Sequence, residues 1–149
     1  MWIVKIGGSW INNPNLSNLI KNLQRLSNKD NIIIVNGGGF FSDSVRLVYE
    51  NKRMSEKTGN YIALKATELF SHLLKEIDKN ICLVDDIESL RFSNKMLKIW
   101  LPSKILKNDS TFIKNWESTS DSVAAWLYSK MNSLGLLYVK SLTFEKRSE

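Results

Sequence analysis

The sequence predicts an α/β layer fold, and three observations carry that expectation. Residues 2–6 "WIVKI" and 31–35 "NIIIV" are short apolar runs separated by a stretch of helical periodicity. The second run is apolar without alternation, as a strand covered on both faces of a parallel sheet requires. Further along, apolar runs and helical patterns keep alternating, which is the signature of strands crossing over through helices.

In order, the first run reads as a strand, and Leu16, Leu19, Ile20, Leu23 and Leu26 then recur at helical spacing. The second strand follows. After "NGGG", Phe41, Val45 and Val48 mark a helix, and Ile62, Ala66, Leu69, Phe70, Leu73, Leu74 and Ile77 mark a longer one. "NICLV" at 80–84 and "MLKIW" at 96–100 are strands, the latter stopped by Pro102. Val123, Ala124, Leu127 and Met131 place a helix over 121–131, and "GLLYVK" at 135–140 is the last strand.

With 149 residues and 43% hydrophobic content, residues 1–149 read as a single domain with a real core. The formal charge is +6 and the isoelectric point about 9.4, but the lysines are dispersed and form no block. The basic balance reads as solvated surface with some attraction for phosphorylated small molecules, not as a nucleic-acid interface. Cys82 is alone, which excludes a disulfide framework, and its place in "NICLV" predicts a buried structural cysteine. No apolar stretch reaches the length of a membrane span, and the expectation is a soluble, cytoplasmic protein.

Three places offer chemistry. "VKIGGSW" places Lys5 at the end of a strand and Gly7, Gly8 and Ser9 in the turn that follows, where bare N–H groups and an ammonium can face an anion. The spacing is not that of a P-loop, and a lysine reaching out to solvent explains it equally well. "VNGGGFFSDSVR" repeats the device with Gly37, Gly38 and Gly39 before a helix; Arg46, one turn beyond Ser42 and Asp43, pairs either with a phosphate or with Asp43. In "NWESTSDSVAAWL", Ser118 and Asp121 fit a capping box, which accounts for Ser118, Thr119 and Ser120 as structural; an acid at Asp121 facing the glycine turns would orient Lys5. His72, the sole histidine, is expected to pack and hydrogen-bond beneath the site, and without a second histidine no zinc-type site is predicted.

"VKIGGS", "VNGGGFFSDSVR", "WESTSDSVAAWL" and "LLYVKS", in that order, resemble the amino acid kinase superfamily, which includes acetylglutamate, uridylate and isopentenyl phosphate kinases. "WLPSKIL" at 100–106, Trp116 and Lys140 bring it nearest to the small kinases of methanofuran and methanopterin-type cofactor pathways. The resemblance implies a three-layer αβα sandwich with a mainly parallel sheet, and phosphoryl transfer from ATP with Mg2+ to a small anionic acceptor, a furan methyl phosphate in the narrowest form. It implies that Lys5 neutralises the transferring group, that Gly7, Gly8, Ser9 and Lys140 bind the nucleotide phosphates, and that Asp121 organises Lys5. Gly37, Gly38, Gly39 and Arg46 would hold the acceptor.

The resemblance also implies that the portion beyond the last strand builds much of the nucleotide pocket, whereas only "SLTFEKRSE" follows Lys140 here. The expectation is therefore a kinase lacking much of that portion, acting alone, as a homo-oligomer or with a complementing partner. The alternative is a non-catalytic binding or assembly protein that keeps the acceptor half.

Overall fold

The computed structural model describes residues 1–52 and 54–141. Strands form where the apolar runs predict them: β1 (Trp2–Ile6), β2 (Ile32–Asn36), β3 (Cys82–Val84), β4 (Leu97–Trp100) and β5 (Gly135–Val139). They make one sheet in the order β3-β4-β2-β1-β5, and every pairing is parallel. Parallel neighbours need crossovers, and helices supply them: α1 (Leu16–Ser27), α2 (Phe40–Lys52), α3 (Glu56–Ile77), α4 (Ile87–Arg91), α5 (Ser103–Leu106) and α6 (Ser120–Lys130). A 3₁₀ turn, Gly8–Asn12, follows β1 directly. The 3₁₀ turn, α4 and α5 are too short for hydrophobic periodicity to register in the sequence. Only Asp86, whose carboxylate accepts from the Ser89 N–H at 2.7 Å, marks the start of α4 as a helix cap.

Side chains alternate across the sheet and divide the core in two. Ile3, Ile33, Val35 and Trp100 pack against Val123, Ala124 and Leu127 of α6. Val4, Ile6, Ile34 and Ile99 face the other way, onto Ile20 and Leu23 of α1 and Phe70 and Leu74 of α3. The result is the three-layer αβα sandwich that the motifs implied. All five residues of β2 are buried, which is the reason its sequence shows no alternation.

The longest helix, α3, is not rotated as its leucines suggest. Leu69, Leu73 and Ile77 are 49%, 44% and 42% exposed, while Asn60, Leu64, Thr67, Ser71 and Leu74 face inward. Burying these polar side chains is tolerable because they find partners. Ser71 Oγ accepts from Asn36 Nδ2 at 3.0 Å, Thr67 Oγ1 donates to the Leu64 carbonyl at 2.8 Å, and Glu68 Oε1 accepts from the Ser103 N–H at 2.9 Å. This rotation puts His72 on the surface with no hydrogen bond among the described residues, contrary to the expectation of a packed histidine. Cys82 is likewise half-buried instead of buried, because β3 lies at the sheet edge.

Lys98 is another buried charge, 2% exposed on β4. Its ammonium donates to the Ser89 carbonyl at 2.7 Å and to the Phe92 carbonyl, closing the last turn of α4. Burial holds its pKa below the ordinary lysine range. Among the described residues no helix is long and apolar enough to cross a membrane.

Glu68 ties α3 to the chain leaving β4, so its loss should be felt by the whole fold. Glu68→Ala would leave the buried Ser103 N–H unpaired and should cost about 1–3 kcal/mol in urea unfolding. Glu68→Gln keeps an acceptor and should cost clearly less.

Candidate active site

Register builds the site before any side chain does. Ile6 of β1 pairs with Asn36 of β2 and with Val139 of β5, so the three strands end at one level and their turns emerge side by side. The ladder continues one rung past the strands: the Gly7 N–H donates to the Val139 carbonyl at 3.0 Å and the Gly37 N–H to the Ile6 carbonyl at 2.8 Å. These two N–H groups are therefore occupied, and Gly7 cannot be the anion donor that its motif implies. The N–H groups of Gly8, Gly38 and Gly39 donate to no protein acceptor among the described residues.

The two glycine turns touch backbone to backbone. A Cβ on Gly8 would lie 2.0 Å from the Gly39 nitrogen, one on Gly37 would lie 2.6 Å from the Gly8 nitrogen, and Gly39 has φ +52°. No other residue type fits this contact without moving one turn off the other.

Behind the turns lies a three-charge cluster. Lys5 Nζ is 2.7 Å from Asp121 Oδ1, and Lys140 Nζ donates to Asp121 Oδ2 at 2.7 Å. The Lys5 side chain is 6% exposed and that of Lys140 52%, so one ammonium is fixed and the other is at the surface. Partial burial pushes the Asp121 carboxyl up, but the hydrogen bonds and charges of Lys140 and Lys5 outweigh it and hold the group below the usual carboxylate range. The same contact raises Lys140. Ser9 Oγ and Ser141 Oγ, 2.6 Å apart, join the turns after β1 and β5.

Asp121 reaches this position because α6 begins at Ser120. The capping box expected of Ser118 and Asp121 does not form: Thr119 is the cap residue and makes no side-chain cap bond. Ser118 Oγ instead donates to the Ile113 carbonyl, and its N–H donates to Asn115 Oδ1 at 3.0 Å, so it braces the loop before the helix. Asp121 is thereby left for the lysines.

A cleft of about 260 Å3 opens in front of the glycine turns, bounded by Ser42, Asp43 and Arg46 of α2, the inward residues of α3, and the loop at 115–120. Lys5, Gly7 and Lys140, at the neighbouring strand ends, and Asp121, in the first turn of α6, lie outside its lining. Arg46 does not pair with Asp43; its guanidinium lies 5.8 Å from the centre of the Trp116 ring. Trp116 stacks on Tyr49 at 4.4 Å and 8°. Gly59 leaves room for this pair, since a Cβ there would lie 2.8 Å from the Tyr49 ring. Asn60 Nδ2 donates to the Asn115 carbonyl at 3.2 Å and pins the loop to α3. Asn60 and Tyr49 carry no local sequence signal, because each acts on a partner many residues away.

No family model matches the chain. Over 130 residues it is 32% identical to the [5-(aminomethyl)furan-3-yl]methyl phosphate kinase of Methanocaldococcus jannaschii, a match that spans 85% of this chain and 59% of that protein. The uridylate kinase of Archaeoglobus fulgidus superposes with a TM-score of 0.72 at 20% identity, over 95% of this chain and 63% of that one. The chain thus spans about three fifths of either relative. Its fold is the one uridylate kinase carries, and the likeness to the amino acid kinase superfamily drawn from the motifs is borne out.

Two outcomes are expected. Gly8→Ala forces the turns apart and should destabilise the protein by about 1–3 kcal/mol or more, measured by thermal unfolding. The depressed Asp121 carboxyl adds stability above its unfolded-state pKa and loses it as pH falls through the lower folded value. In urea titrations, the stability of the wild type should therefore fall towards that of Asp121→Asn as pH drops below about 4.

Proposed function

We propose that this chain, with its amino acid kinase fold, is a phosphotransferase that moves a phosphoryl group from ATP to a small anionic acceptor of the furan methyl phosphate kind. The observation that carries the reading is the meeting of two glycine turns, with free N–H groups at Gly8, Gly38 and Gly39, beside Lys5, Asp121 and Lys140. Donors fixed in this way suit phosphates, because they need no reorganisation when charge develops. The name of the methanocaldococcal relative supplies the acceptor type.

Phosphoryl transfer asks mostly for positioning and charge stabilisation, its loose transition state spreading charge over the equatorial oxygens. Lys5, buried and held by Asp121, supplies a fixed positive charge there. Lys140, at the surface end of the same carboxylate, can turn towards a nucleotide phosphate without losing its backbone anchor. Gly7 and Ser9 shape the turn, and Gly8 donates from it. Gly37, Gly38 and Gly39 bring the acceptor close to the backbone, Arg46 meets its phosphate, and the Trp116 face accepts a flat ring. Asp121 stays ionised between two ammonium groups, so its role is to orient Lys5. A general base is not required, because an acceptor phosphate oxygen is already anionic. Mg2+, a hard cation that prefers oxygen ligands and substrate phosphates, would arrive on the nucleotide. ATP would supply the phosphoryl group and Mg2+ would neutralise its oxygens, while Lys5 and the glycine turns would position the reactants.

A second reading has its own observation. β5 is an edge strand, and Leu134 just before it and Leu137 within it are 66% and 51% exposed, which suits a second copy or a complementing polypeptide laid against that edge. In that case the chain binds the acceptor and turnover needs the partner.

The test is ADP release with Mg2+, ATP and [5-(aminomethyl)furan-3-yl]methyl phosphate, with light scattering on the same sample. Lys5→Ala should lower kcat about 100- to 1,000-fold while circular dichroism is unchanged. Full turnover in that variant would refute the assignment of Lys5. Acceptor binding without turnover, restored by a copurifying chain, would favour the partner-dependent reading.

A further inference from the structure

Next to the cleft is a second groove of about 380 Å3 that phosphoryl transfer does not use. It is lined by Lys57, Thr58 and Tyr61 of the first turns of α3, by Lys107 at the end of α5, and by Lys114, over a floor shared with the cleft. Three ammonium groups and no carboxylate line it. Lys5, Lys65, Lys79, Lys104 and Lys140 each have an acidic partner, but Lys57, Lys107 and Lys114 have none among the described residues. Lys107 rests 4.8 Å from the centre of the Tyr61 ring, and Lys114 donates to the Asp109 backbone carbonyl, which leaves N–H donors on both. Lys57 and Thr58 belong to the first turn of a 22-residue helix, whose partial positive charge adds to the same field. Glu56 shares that turn but is not part of the lining. Like charges gathered in one concave place repel each other, and a ligand carrying several negative charges relieves that repulsion.

We propose that this groove is an anion site separate from the acceptor cleft, taking a small molecule with clustered negative charges, an oligophosphate or a polycarboxylate. It is coupled to the cleft by construction. Asn60 and Leu64 line both hollows, and Lys114 immediately precedes Asn115 and Trp116, with the Asn115 carbonyl held by Asn60 at 3.2 Å. An anion that draws Lys114 inward pulls on the loop that carries the Trp116 wall.

The test is calorimetric titration without nucleotide or turnover, so that it stands or falls apart from the kinase reading. The protein carries Arg46→Gln and Lys140→Gln, two exposed changes that weaken the proposed phosphoryl and acceptor sites. Tripolyphosphate and citrate are the probes, and inorganic phosphate is the control with less charge. One equivalent of tripolyphosphate or citrate should bind, more tightly than phosphate and more weakly as NaCl rises. Adding Lys57→Gln and Lys107→Gln, both exposed, should weaken that binding about tenfold. Preference for one probe assigns the ligand to phosphates or to carboxylates. Absence of binding in the starting protein, or equal affinity with and without the two lysines, would overturn the proposal.

Discussion

The contact on which the rest depends is that between two stretches of bare backbone. Gly8 lies against Gly39, and Gly37 against Gly8, at separations where a single added methyl group would overlap main-chain atoms. This packing lets the turns after β1 and β2 share one edge, and three of their N–H groups have no protein acceptor among the described residues. Parallel pairing in matched register makes the contact possible: strands that end at the same level release their turns at the same level. A slip of one residue would turn Lys5 to the opposite face of the sheet and separate the turns.

Charge is arranged around that backbone frame with an asymmetry in exposure. One carboxylate, Asp121, holds two ammonium groups, one enclosed and one at the surface. A buried lysine is tolerable when its charge is paired, and breaking such a pair leaves an uncompensated ion. Lys98 shows a different solution in the same sheet. Its ammonium donates to carbonyls at a helix end, with no carboxylate paired to it among the described residues, and burial lowers its pKa.

Much of this was legible in the sequence, for identifiable reasons. The five strands and four long helices follow from apolar runs and periodicity, which are local signals. The glycine turns, Lys5 and Asp121 stood out because a charge or a missing side chain at a strand end is unusual. Periodicity misled at α3, where Leu69, Leu73 and Ile77 mark the exposed side and the buried stripe includes Asn60, Thr67 and Ser71. The reason is energetic: a polar group buried with a partner competes with an apolar one, and sequence does not display the partner. Ser118 misled in a similar way, its capping role being replaced by bonds to Ile113 and Asn115.

By itself, then, the sequence determined the fold class, the order of elements and the places where backbone would be exposed at strand ends, because these depend on short-range pattern. Tertiary structure decided which of those places meet. It occupied the Gly7 and Gly37 N–H groups and left those of Gly8, Gly38 and Gly39 without an acceptor among the described residues, joined Lys140 to Asp121, the carboxylate that holds Lys5, and brought Arg46 over Trp116 instead of Asp43. Each is a contact between residues distant in the chain, set by strand register and helix rotation, and neither is written in any local run of residues.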